Sequence, residues 1–227
     1  MHPVSQTSQS LDGIRCLCSH GAVINSIIED IHWQNRETHC ISGYEVPGPL
    51  LISNNFLSAS SIGVLFGGAD ARRAELLPQD ITITRNHFYK RPEWKTTSLW
   101  VYVKNHLELK TGKRVLVSGN IFENNWFQPS DQQQSGFSIV LWSANQNGGA
   151  PFSETAHVTI VDNIIRNSRE FHNGFFIYLF LFRFFVSFFF LFFDFSSRHF
   201  FRFLSFLAQN EDLLQRSMTA ILVAPPT

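Results

Sequence analysis

Cysteine is scarce. The three present in 227 residues, Cys16, Cys18 and Cys40, are too few and too odd in number for a disulfide framework. They are expected to be buried free thiols. Cys16, Cys18 and His20 would share one strand face, with His39 and Cys40 further on, but C-x-C-x-H lacks zinc-finger spacing and zinc is the weaker reading. Excess charge of either sign is also missing: 18 Lys and Arg balance 18 Asp and Glu, which gives no grip on nucleic acid or on an acidic membrane. The opening MHPVSQTSQSLDG has neither the basic start nor the apolar run of a secretory signal, so the chain is not exported by that route or its beginning is missing. No heptad or 3.6-residue periodicity runs through the part before residue 169, which argues against a helical array.

What is there is a repeat. Five segments share one shape: GAVINSII, LLISNNFL, ITITRNHF, VLVSGNIF and VTIVDNII. Their common polar position is Ser26, Asn55, Asn86, Asn120 and Asn163, at intervals of 29, 31, 34 and 43 residues. Short β-branched strands at a period of about thirty residues point to a β-solenoid, one coil per repeat. A second strand set, HCISGY, GVLFGG, HLELKT and SIVLWS, closes each coil. Alternation turns Ile81 and Ile83, Val115 and Val117, and Val158 and Ile160 inward, with Thr82, Leu116 and Thr159 outward. The recurrent Asn suits a tight turn, where it tolerates left-handed geometry and its amide bonds its own backbone or the Asn one coil away.

The stretches GAVINSIIEDIH, ISGYEVPGPLLISNNFL, VLFGGAD, DITITRNHFYKRPEWK, VKNHLELKTGKRVLVSGNIFENNW and SANQNGGAPFSETAHVTIVDNIIRNS carry a family resemblance. They resemble secreted bacterial right-handed parallel β-helix repeat proteins of the pectin-lyase-like superfamily, over about residues 13–168. The resemblance implies an all-β, right-handed parallel β-helix of about five coils and a place outside the cell or on its surface. It implies no particular reaction. The chain then divides into a disordered or truncated start (1–12), the β-helix (13–168), a Phe-rich low-complexity segment (169–208) and a remnant resembling a partial coil (209–227). No capping unit is evident at either end, so the chain reads as an internal fragment whose groove is not assumed complete.

Seventeen of the 24 Phe lie between Phe171 and Phe206. Gly174 to Phe193 holds twenty residues with one charge, Arg183, long enough to span a membrane. That charge near the middle, and the dominance of Phe where natural spans use more Leu, Val, Ala and Gly, favour a translated non-coding insert over a membrane anchor.

Chemistry is expected on the outer face of the second strand set. With Leu107 and Leu109, Val64 and Phe66, and Ile139 and Leu141 inward, His106, Glu108 and Lys110 face outward beside Val140 and Trp142, with Asp70, Arg72 and Asn145 in adjoining turns. An acid, a base and an aromatic platform suit a polysaccharide. In a lyase, Lys110 or Arg72 would serve as base, with Asp70 and Glu108 as Ca²⁺ ligands. In a hydrolase, Asp70 and Glu108 would be the paired carboxylates. The paired-Asp and Gly-His-Gly signature of polygalacturonases and the R-x-P-x-x-R motif of pectate lyases are not found. The expectation is therefore a pectate-lyase-like β-helix that binds an extracellular polysaccharide, with cleavage left open; Asp70, Glu108 and Lys110 are the catalytic candidates and Trp142, Arg72, Asn145 and His106 would hold substrate. The alternative is a non-enzymatic binding or structural module or an inactive fragment, membrane-anchored if the Phe tract is a span. Trp94, Trp100 and Trp126 lie in long turns, where they line a sugar cleft or cover the solenoid flank.

Overall fold

The computed structural model describes residues 11–96, 101–128, 135–173 and 219–222. Expectations for the Phe tract and Trp100 fall outside these residues. Each coil contributes three strands: β1 (Asp12–Arg15), β2 (Gly21–Ile24) and β3 (Ile27–Ile31), then β4 (His39–Gly43), β5 (Leu50–Ser53) and β6 (Phe56–Ala59). The third coil is β7 (Ile62–Phe66), β8 (Gln79–Thr84) and β9 (His87–Tyr89), followed by the single turn α1 (Glu93–Thr96). The fourth is β10 (Leu107–Leu109), β11 (Gly112–Ser118) and β12 (Ile121–Asn125), and the fifth β13 (Phe137–Leu141), β14 (Thr155–Val161) and β15 (Ile164–Ser168). Stacking gives sheet A (β1-β4-β7-β10-β13), sheet B (β2-β5-β8-β11-β14) and sheet C (β3-β6-β9-β12-β15), all parallel within these strands. This is the right-handed parallel β-helix of five coils.

Two strands extend the stack. β16 (Glu170–Asn173) adds to sheet A in parallel, whereas β17 (Thr219–Leu222) joins sheet B antiparallel to β14. β17 therefore runs opposite to the strands of the five coils.

The core is a set of stacked columns. Val23, Ile52, Ile83, Val117 and Ile160 pair in register along sheet B, and the last four are at most 5% exposed. Leu57, Phe88 and Phe122 form the facing column on sheet C, with the two Phe rings stacked at 4.6 Å. Each such side chain contributes about 1.5–3 kcal/mol when fully buried. The outward partners behave as alternation requires, Leu116 being 37% exposed.

Sheets B and C meet at an identical corner in every coil. It consists of Asn25–Ser26, Asn54–Asn55, Arg85–Asn86, Gly119–Asn120 and Asp162–Asn163. The left-handed residue is the first of each pair, with φ of 53°, 57°, 55°, 64° and 56°, not the recurrent Asn as expected. The second residue builds the ladder. Asn55 donates from backbone N and Nδ2 to Asn86 Oδ1 (3.0 and 2.9 Å), Asn86 likewise to Asn120 Oδ1 (2.9 and 3.0 Å), and Asn120 to Asn163 Oδ1 (2.9 and 2.9 Å). Each Nδ2 also donates to a strand carbonyl of the preceding coil, Val23, Ile52, Ile83 or Val117. The buried amide groups are thereby satisfied.

Where sheet C turns into sheet A, alternation fails. Cys40 and Ile41 are both in the core, and a Cβ on Gly63 would lie 2.7 Å from Phe88 Cδ1, ahead of the buried Val64. Two successive residues thus point inward as the chain bends, leaving outward positions three apart on either side: Asp12 and Arg15, His39 and Ser42, Asn105 and Glu108. His106 occupies the first inward position and packs against Phe88 and Phe122 (centroids 6.2 and 6.0 Å). The expectation that it faces outward is corrected on that ground.

Candidate functional site

Sheet A brings three of the expected residues together. Arg15, Ser42, Leu65, Glu108 and Val140 form one outward row by strand register. One step past Leu109 and Leu141, Lys110 and Trp142 are cross-strand neighbours: Trp142 N donates to Leu109 O at 3.0 Å and Ala144 N to Lys110 O at 2.9 Å. Lys110 Nζ lies 3.7 Å from Glu108 Oε1. Trp142 is 54% exposed, whereas Glu108 is 2% exposed. Glu108 faces outward yet is covered, because Asn105 Nδ2 donates to its Oε2 at 2.8 Å and Lys104 Nζ lies 3.8 Å from the same oxygen.

The other expected residues are committed to structural partners. Asp70 Oδ2 accepts the backbone N–H of Gly149 (2.8 Å) and of Asn147 (3.0 Å), and Asn145 Oδ1 accepts Ala150 N (2.8 Å). Asp70 and Asn145 therefore shape the loop after β13. Arg72 pairs with Glu45 through Nε at 2.9 Å and Nη2 at 2.8 Å, and its backbone N donates to Glu45 Oε1 at 2.9 Å. These bonds hold the Glu45 carboxyl down at about 2. Burial pushes the His106 imidazole well below its ordinary value, which keeps it neutral among the aromatic rings. Trp94 packs with Val101, Val103 and Trp126 in a satellite cluster on the flank.

Calcium does not fit the residues assigned to it. Asp70 already accepts backbone donors at both oxygens, and Glu108 sits between two lysine ammonium groups that repel a divalent cation. Among the described residues no group of three or more His, Cys, Asp and Glu is placed to hold a metal. Cys16 and Cys18 are paired as a disulfide, a correction to the free thiols expected, while Cys40 is free and buried. Burial drives the Cys40 thiol up to about 12. Nearby, Lys90 is fully buried and donates to three successive carbonyls, Ala59 (3.2 Å), Ser60 (2.8 Å) and Ser61 (2.7 Å), tying the corner between β6 and β7.

Sequence reasoning missed the rest of the face. His39 Nδ1 donates to Asp12 Oδ1 at 2.8 Å, where Ser42 Oγ also donates at 2.8 Å, and Arg15 pairs with the other oxygen. His39 Nε2 faces Glu37 Oε2 at 3.8 Å, and Glu37 Oε1 binds Lys104 Nζ at 2.6 Å. With the Lys104, Glu108 and Lys110 contacts above, charges of alternating sign run from Arg15 on β1 to Lys110 beyond β10. Burial raises the Asp12 and Glu37 carboxyls, but hydrogen bonds and cationic neighbours prevail and hold both down at about 2. Burial opposes the His39 proton, yet Asp12 and Glu37 raise that imidazole above its ordinary value. The three-residue spacing of polar positions in Asp12/Arg15, His39/Ser42 and Asn105/Glu108 was the available signal. It is readable only once two inward positions are known to lie between.

Comparisons with protein-family models, with curated proteins and with solved structures each return no match. Among the described residues no helix is long and apolar enough to cross a membrane.

Proposed function

We propose that the chain is a pectate-lyase-like β-helix that binds an extracellular polysaccharide across the outer face of sheet A. The observation that carries this reading is the exposed Trp142 indole, on the residue cross-strand to Lys110 just past the β10–β13 pair. A sugar face stacks on an indole, and an ammonium group beside it favours an acidic sugar. Binding without turnover is the form favoured in this conformation, because Asp70 and Arg72 are occupied and Glu108 lies covered by Lys104 and Asn105.

The test is affinity electrophoresis of the full chain through polygalacturonate and through a neutral glucan, alongside ultraviolet detection of unsaturated product with and without Ca²⁺. Trp142→Ala is expected to weaken polygalacturonate binding by roughly tenfold, the usual scale for a central aromatic contact. Unretarded migration of the folded wild-type chain in every polymer would remove the proposal. Unsaturated product would establish a lyase and direct attention back to Lys110.

A further inference from the structure

Glu37 is the most exposed of the three carboxylates in the run of charges along sheet A, Asp12 and Glu108 being largely covered. Its side chain is 36% exposed, against 2% for Lys104 and 12% for His39. Asp12 is held by His39, Ser42 and Arg15, and Glu108 lies buried under Asn105. Glu37 sits on the segment between β3 and β4, which meets the segment before β10 through Tyr102 N donating to Trp33 O at 3.0 Å.

Its fit between two cations is uneven. Lys104 Nζ is bonded at 2.6 Å, but His39 Nε2 at 3.8 Å is beyond hydrogen-bond reach. Among the described residues that nitrogen is shut away from solvent and has no hydrogen-bond partner. A buried donor left unmade is costly, so a carboxylate seated closer to His39 gains a bond that Glu37 does not make.

We propose that Lys104 and His39 form a carboxylate subsite which Glu37 fills in the free protein and which the carboxylate of an acidic sugar takes over on binding. This rests on the polysaccharide reading above and makes Glu37 an internal competitor. The groups facing His39 and Lys104 are Asp12 and Arg15 on one side and Glu108 and Lys110 on the other. With Glu37 withdrawn, Arg15, Lys104, Lys110 and protonated His39 outnumber Asp12 and Glu108 and favour an incoming anion. β4 and β13 are three strand spacings apart in sheet A, about 14 Å. By strand register His39 stands level with Phe137, five residues before Trp142, so a chain reaching from Trp142 to this subsite crosses sheet A obliquely, about 16 Å along the strands as well as across them. Protonated His39 supports the subsite, and binding weakens as pH rises through its elevated pKa.

The experiment measures dissociation constants of the full chain for polygalacturonate and for a neutral glucan, between pH 5.5 and 9. Glu37→Gln is expected to tighten polygalacturonate binding about three- to tenfold by raising the competent fraction, with the neutral polymer unaffected. Glu37→Asp should fall between, and it decides the matter if circular dichroism shows that Glu37→Gln does not fold. His39→Gln should weaken binding and flatten its decline at high pH. Equal or weaker polygalacturonate binding by Glu37→Gln overturns the subsite. If Trp142→Ala nevertheless weakens binding, the polysaccharide reading stands and only this inference is lost. If neither wild type nor Glu37→Gln binds the polymer, both are lost.

Discussion

Asn86 shows how much one amide carries in this solenoid. It is 1% exposed, donates to Ile52 O and Asn120 Oδ1, and accepts from the backbone N and the Nδ2 of Asn55. Asn86→Ala leaves these buried groups unpaired, and the expected loss is about 3 kcal/mol in urea unfolding, given about 1–3 kcal/mol per unsatisfied group. Asn163→Ala, at the half-buried end of the ladder, should cost about 1 kcal/mol by the same reasoning. Equal losses at the two positions would show that the ladder does not act as a stacked unit. The ladder itself was legible, because an amide returning at one position after β-branched residues, coil after coil, is what stacked side-chain bonding requires. The left-handed residue was not. Arg85 and Asp162 hold that geometry, and neither advertises it as Gly119 does.

The strands of sheet A are joined by charge as well as by backbone bonds. Asp12 and Glu37 have folded-state pKa values of about 2, below their ordinary values. Their contribution is therefore present above about pH 4.5 and lost as pH falls towards 2. His39 has the opposite sign: its elevated pKa makes its contribution full below about 6.5, and that contribution is lost as pH rises through the folded value. Asp12→Asn should cost about 2 kcal/mol at pH 6, the linkage value of its shift, and flatten the acid limb of stability against pH. An acid limb as steep as wild type in that variant would place the coupling elsewhere. Strand pairing was readable from alternation wherever alternation holds, as in β8, β11 and β14. His106 was misplaced because the bend into sheet A sets two inward residues in succession. The partners of Asp70 and Arg72 were out of reach for another reason. They lie 77–79 and 27 residues away in sequence, so local pattern holds no record of them.

Across the whole molecule, protection should follow the stack. Val23 and Ile28 of the first coil are only partly buried, whereas their equivalents Ile52 and Leu57 are at most 1% exposed. Hydrogen exchange of the full chain is expected to be slowest in β8 and β11, each paired on both sides, and faster in β2 and β3, each of which has one strand neighbour among the described residues. Uniform protection from β2 to β11 would mean the coils open together.

The corner between sheets B and C takes two residues in every coil, while the passages from C to A and from A to B vary from a couple of residues to well over a dozen. Length and register are thereby uncoupled. A loop such as 143–154 can grow, shrink or change its chemistry without moving any strand against its neighbour. The solenoid is in that sense a ruled rack, on which new specificities are hung along one edge while the other edge keeps the count.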